Sequence, residues 1–353
     1  VPLEGDDVSP LIDRYRDQLP MSDQLPTLDP PVHTAHRALL MRLITPRRLK
    51  ENEAFMWRLA DRVMDEFIER GECEFISEYA SPFAMLVIAD LLGVPEEDHE
   101  RFRAGLSGGR HTGTIGGTHE GETLTRHPLQ FLYDEFTRYV EDRRRSPRED
   151  VLTGLATATF PDGSMPEVID AVRVAANLFA AGQETTVRLL GASLQVMGEQ
   201  PELQQRLRDE RHLIGNFVEE ALRIESPVKG DFRLSRVATN VGGVDIAPGT
   251  CLMVLNGAAN RDPRRFDRPG EFVVDRDNAR QHVSFGHGVH TCPGAPLARA
   301  EARVSIERLL DRMADIRISE RVHGPAGDRR YKYVPTHILR GLRKLQLEFT
   351  AAE

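Results

Sequence analysis

Cysteine is scarce in this 353-residue chain: Cys73, Cys251 and Cys292 stand far apart, and no CxxC pair occurs. That excludes a disulfide framework and a structural zinc site built on paired cysteines, and it fits a reducing cytoplasm. Basic charge is short as well. The net charge is −9, which argues against nucleic acid as a partner. Long apolar runs are missing. The longest, Phe83 to Leu92, is interrupted by Asp90 and is too short to span a bilayer. No signal peptide is seen, although the chain opens at Val1 rather than at a methionine, so a missing N-terminal piece stays open as a reading.

What is present is material for a core. Hydrophobic residues make up 40% of the chain and charged residues 29%, the balance of a water-soluble globular protein. Phe55, Leu59, Val63 and Phe67 recur at helical spacing, which predicts a helix over 51–70. Residues 75–92 read as a helix apolar on all sides, and so buried. Pro95-Glu96-Glu97 opens the next one, with acids at its positive end. Residues 107–122 are rich in Gly, Thr and His and read as a mobile flap. His111 and His119 within it lack ligand spacing. A helix over 129–145 ends in three arginines. The longest helical stretch runs from Pro166 to Gln200, about 50 Å at about 1.5 Å per residue. Strand-like runs fill 232–256, residues 262–281 show no period, and a helix runs to about Met313. Residues 331–349 read as closing strands. The expected fold is mainly α with a small β-rich region, one domain over 1–353.

The most distinctive string is Phe285-Gly286-His287-Gly288-Val289-His290-Thr291-Cys292-Pro293-Gly294. It sets a cysteine in a loop that glycine must shape, just before a helix with Pro296 in its first turn. A helix N-terminus favours thiolate, and a thiolate with one open face is a good ligand for haem iron. In Ala181-Gly182-Gln183-Glu184-Thr185-Thr186 the long helix carries a glycine, at a cost of about 1 kcal/mol relative to alanine. It also carries two threonines, either of which can capture a carbonyl of the preceding turn and open a groove. Glu220 and Arg223 share a helix face, as do His33 and Arg37.

Together these strings resemble the cytochrome P450 family. The loop resembles its F-G-x-G-x-H-x-C-x-G haem motif, the long helix its (A/G)-G-x-(D/E)-T-(T/S) oxygen-activation motif, and the Glu220/Arg223 pair its structural E-x-x-R. Asp29-Pro30-Pro31-Val32-His33-Thr34-Ala35-His36-Arg37 resembles its H-x-x-x-R string. The resemblance implies a haem-thiolate monooxygenase of the soluble bacterial type, with haem b bound by Cys292. His33, Arg37, Arg236 and His290 would meet the propionates, and Phe285, Gly286, Gly294 and Ala181 would line the haem. Thr185 would hydrogen-bond dioxygen at the iron, and Glu184 would relay protons.

By the same resemblance, Asn177, Ala180, Val228, Phe232 and Ile338 line a pocket for a hydrophobic molecule such as a terpenoid, steroid or fatty acid. Electrons would come from a ferredoxin or a flavodoxin with its reductase, docking near Arg47, Arg48 and Arg299. A cytoplasmic monomer is expected. Two departures stand out. The family's third E-x-x-R partner is an arginine where this chain has Glu271, which leaves Arg276 and His282 as candidates. Only a short stretch precedes Asp29, so the first helices and strands of the fold are expected to be missing. Rival readings are a peroxygenase of the same fold, a non-catalytic haem binder, and a haem-free helical protein.

Overall fold

The computed structural model describes residues 3–16, 22–107 and 129–352. The sequence-predicted flap, with His111 and His119, lies outside the described residues apart from Ser107.

The helices are α1 (Ser9–Tyr15), α2 (Val32–Met41), α3 (Pro46–Asp65), α4 (Ser81–Leu92), α5 (His99–Ser107), α6 (Gln130–Arg145), α7 (Val151–Ala156), α8 (Val168–Glu199), α9 (Pro201–Asp209), α10 (Ile214–Glu225), α11 (Asn256–Ala259), α12 (Ala295–Arg312) and α13 (Glu320–His323). The strands are β1 (Glu72–Glu74), β2 (Asp231–Leu234), β3 (Thr239–Val241), β4 (Val244–Ile246), β5 (Cys251–Val254), β6 (Met313–Ile318) and β7 (Gln346–Ala351).

The long helix α8 is the axis. It begins at a capping box formed by Glu167 and Asp170 and stops at Gln200, just before Pro201. Alanine, leucine and valine cover it on several sides, so it packs against α2, α4, α6, α10 and α12 at once. The helix α4 lies against it with ten of its twelve residues buried. It ends at Gly93, whose φ of 76° suits glycine; a Cβ there would also come within 2.8 Å of Val151. The helix α3 starts at Thr45, which caps Arg48 N, with Pro46 in its first turn.

Three small antiparallel sheets complete the fold: β1-β7-β6, β2-β5 and β3-β4. Two strands went unread in the sequence. In β6, Ile316 and Ile318 alternate with exposed Arg317, a period-two signal hidden because it follows α12 without a break. The strand β1 is three residues long and too brief to show a period. The expected closing strands over 331–349 are corrected to one strand, β7. The remainder is a looped hairpin held by the bridges Tyr333↔Leu342 and Val228↔Leu339. Thr336 Oγ1 closes its tip, accepting from Leu339 N at 2.8 Å and donating to Leu339 O at 3.0 Å. Side-chain bonding at that tip replaces a ladder.

Candidate active site

The cysteine loop is held from within. Gly286 and Gly288 take φ of 68° and 76°, and Cys292 N donates to Phe285 O at 2.8 Å. Backbone N–H groups of Gly294 and Ala295, at the start of α12, favour the charged form of the Cys292 sulfur. Burial of that sulfur nonetheless pushes its thiol up, and the N–H groups oppose the shift without overcoming it. The N–H groups thus favour the thiolate, as expected of a helix N-terminus, while burial outweighs them.

The loop is also anchored from outside, by a residue that sequence reasoning passed over. Glu219 is buried, receives Arg299 at 2.7 and 3.0 Å, and meets His282 Nε2 at 3.1 Å. The Arg299 guanidinium lies 4.6 Å from the centre of the Phe285 ring. Burial works against the Glu219 charge, yet His282 and Arg299 hold its carboxyl down to about 2. Two adjacent glutamates on α10, Glu219 and Glu220, were the available signal.

Glu220 and Arg223 are fully buried and pair at 2.7 and 2.8 Å. Arg276, not His282, completes the group, with its Nε 3.0 and 3.2 Å from the two Glu220 oxygens. Arg223 also donates to the carbonyls of Asn260, Pro269 and Glu271. Glu271 therefore enters the network through its backbone, while its carboxylate pairs with Arg268 at the surface.

Beside the loop, His33 of α2 meets His290 with ring centroids 4.3 Å apart. His33 is buried, and neither ring nitrogen has a hydrogen-bond partner among the described residues. Burial and then the neighbouring His290 lower the His33 pKa; burial and then Arg233 lower that of His290. Arg37 donates to Thr291 O at 2.5 Å, and Arg236 pairs with Asp29 at 2.5 Å. Orphaned, buried donors are costly, and a group carrying two carboxylates would satisfy them. This cationic corner and the cradled sulfur fit a haem: Cys292 as the iron ligand, with His33, His290 and Arg37 toward the propionates. Arg236 is already engaged by Asp29.

In α8, the six residues Ala180–Thr185 are partly accessible although the turns on both sides are mostly buried. Gly182 sits so close to α4 that an added Cβ would lie 3.3 Å from Ile88 Cδ1. Thr185 Oγ1 donates to Ala181 O at 2.8 Å, the side-chain capture expected of it, within a helix that runs on unbroken. Glu184 is ion-paired with the buried Arg188. Close to Thr186, the residue after Thr185, lies Glu301 of α12, a buried carboxyl whose pKa burial pushes well above the ordinary value. Neither Arg188 nor Glu301 was singled out in the sequence.

Of the expected pocket residues, Val228 and Ile338 come together where Lys229 N donates to Ile338 O at 2.7 Å. Asn177 and Ala180 lie one turn apart on α8, and Phe232 is exposed on β2 opposite Met253. Of the proposed docking cations, Arg47 is exposed and, among the described residues, pairs only with Glu51. Arg48 donates inward to Leu91 O and Arg299 pairs with Glu219, and both side chains remain partly accessible.

Comparison with known proteins agrees with this geometry. A family model described as Cytochrome P450 matches residues 130–314. The chain is 34% identical to Cytochrome P450 144 of Mycobacterium tuberculosis over 330 residues, 92% of this chain and 72% of that protein. It superposes on the substrate-free structure of Mycobacterium marinum cytochrome P450 CYP150A6 with a TM-score of 0.92 and 60% identity, covering 100% of this chain and 82% of the other. CYP109E1 from Bacillus megaterium, solved in complex with corticosterone, gives a TM-score of 0.81 at 29% identity, covering 92% and 85%.

Proposed function

The chain belongs to the cytochrome P450 family, and we propose that within it the protein oxidises a hydrophobic small molecule of the terpenoid, steroid or fatty-acid class with electrons from a ferredoxin or flavodoxin system. Its enzymatic class is that of the haem-b monooxygenases. The observation that carries the reading is the Cys292 loop at the head of α12, closed by Cys292 N on Phe285 O at 2.8 Å and turned by Gly286 and Gly288 at positive φ.

When bound, the haem supplies the reduction of dioxygen and the transfer of one oxygen atom to substrate. Cys292 would hold its iron, with the N–H groups of Gly294 and Ala295 steadying the sulfur's negative charge. His33, His290 and Arg37 orient the group by its carboxylates. Thr185 holds a proton at Oγ1, beside the partly accessible stretch of α8. Glu184, partly accessible, exchanges protons with solvent and passes them toward Thr185. Val228 and Ile338, joined at the hairpin, offer apolar surface to the substrate, and Ala180 adds a small apolar face on α8. A relative crystallised with corticosterone supports the steroid end of that range. Arg47 remains as an exposed cation for an acidic electron donor.

The test is spectroscopic. The reduced, carbon-monoxide-bound protein shows the red-shifted band of thiolate ligation, and a library of terpenoids, steroids and fatty acids is titrated for the spin-state shift of substrate entry. A shift with one class assigns the substrate, and silence across all three removes the proposal. Turnover with a surrogate ferredoxin, its reductase and NADPH separates a monooxygenase from a mere haem binder.

A further inference from the structure

Arg188 is an unusual residue for its place. It lies on α8 one turn beyond Glu184, its side chain is 5% exposed, and its only charged partner among the described residues is the Glu184 carboxylate. Its Nε has no hydrogen-bond partner there. A buried guanidinium with so few partners is costly unless something fixes it.

What fixes it is the hairpin that carries Ile338. A Cβ added to Gly341 would come within 2.5 Å of Arg188 Cγ and 2.8 Å of its Nη1, so the arginine occupies the space that a side chain at 341 would fill. Gly341 stands on the returning arm of the hairpin, where its carbonyl accepts from Val334 N at 3.0 Å. The same arm is tied to the end of α10: Arg340 N donates to Pro227 O at 2.9 Å, and Arg340 Nε pairs with Glu225 at 2.8 Å. Lys229 Nζ reaches Thr336 O at 3.0 Å at the tip. One guanidinium thus touches the carboxylate proposed to deliver protons and the backbone of the segment proposed to meet substrate.

Resting on the function proposed above, we infer that Arg188 is a positioning residue that couples the two: the seat at Gly341 sets where Arg188 holds Glu184, so a substrate pressing on the hairpin at Ile338 adjusts proton delivery. Glu184 is the more accessible partner, 27% exposed against 5%. The carboxylate can therefore turn to solvent, while the guanidinium stays seated against the hairpin.

The experiment uses the haem-loaded protein with a surrogate ferredoxin system. Two variants unseat the contact from opposite ends, Arg188→Met and Gly341→Ala. Each is expected to keep the carbon-monoxide-bound thiolate band and to bind the substrate found by the spin-state screen with Kd within about twofold of wild type. Product per NADPH falls by about tenfold, a fraction of what a positioned proton donor contributes, with peroxide appearing in its place. Glu184→Gln combined with Arg188→Met loses no more than Glu184→Gln alone, because the two act through one carboxylate. Arg188→Lys recovers part of the coupling. Independently of turnover, the infrared carboxylate band that Glu184→Gln removes shifts in Arg188→Met. Wild-type coupling in both variants, or losses that add to those of Glu184→Gln, overturns the inference. Absence of the thiolate band in the wild-type protein would instead remove the function beneath it. Should Arg188→Met fail to fold, Gly341→Ala decides alone.

Discussion

Arg276 places its Nε 3.0 Å from one oxygen of Glu220 and 3.2 Å from the other, across 56 residues of chain. The irregular segment 262–281 is thereby fastened to α10 at Arg276. Arg276 also donates to the carbonyls of Asp267, Arg268 and Glu271, so one guanidinium organises the turn that contains them.

Arg276→Met keeps the stem and removes the charge. Glu220 keeps Arg223 but loses its second cation in a fully buried setting. Breaking a buried charge group in this way costs about 3–5 kcal/mol. Denaturant unfolding of wild type and variant measures it, and haem loss on gel filtration follows. A change under about 1 kcal/mol would mean that Arg223 alone satisfies Glu220.

Glu219 gives an acid-side prediction. Its folded carboxyl sits at about 2 against an ordinary 4.5, because the contacts with His282 and Arg299 outweigh burial. A depressed folded pKa contributes stability that is complete above the unfolded value and is lost as pH falls from about 4.5 toward about 2. Unfolding free energies measured downward from about pH 5.5 should fall more steeply for wild type than for Glu219→Gln. Parallel curves would show that the carboxylate carries no such linkage.

Much of this was legible in the sequence, for physical reasons that differ from part to part. The helix α8 announced itself because a helical stretch of 32 residues leaves few alternatives. The cysteine loop was readable because glycine at positive φ leaves a fixed mark at Gly286 and Gly288. Arg276 could be named only as one of two candidates, since the pairing with Glu220 depends on how an aperiodic turn folds. Arg188 and Glu301 stayed invisible. An arginine within a helix reads as a surface cation, and a glutamate after Arg299 and Ala300 reads as an exposed charge. Only packing reveals that both side chains are enclosed. The hairpin at 331–345 misread as strands because its residues alternate, while Thr336 closes the turn by side-chain bonds.

Glu301 carries the opposite pH signature to Glu219. Burial raises its folded pKa well above 4.5, with the Thr186 hydrogen bond a lesser, opposing influence. A carboxyl raised in this way is fully accommodated below its unfolded pKa. It draws stability down as pH climbs from about 4.5 toward the folded value, since the unfolded chain ionises first. Glu301→Gln, similar in shape and never charged, should remove that decline and leave the protein relatively more stable at pH 8 than at pH 5. Chemical denaturation at the two pH values provides the difference. An unchanged difference would place a water-filled, ionised carboxylate at this position.

His33 separates a cofactor contact from a structural one by the sign of its effect. Its two ring nitrogens are buried without partners among the described residues. An unsatisfied buried polar group costs about 1–3 kcal/mol. His33→Leu removes that cost at nearly equal volume, so the haem-free protein should unfold at equal or higher denaturant concentration than wild type. The haem-loaded variant should do the reverse. Losing a donor to a propionate carboxylate, a charge-assisted bond of about 1.5–3 kcal/mol, it should release haem to apomyoglobin faster by about tenfold or more. A histidine serving only the fold would lower the stability of both forms together, and that outcome would take the propionate role away from it.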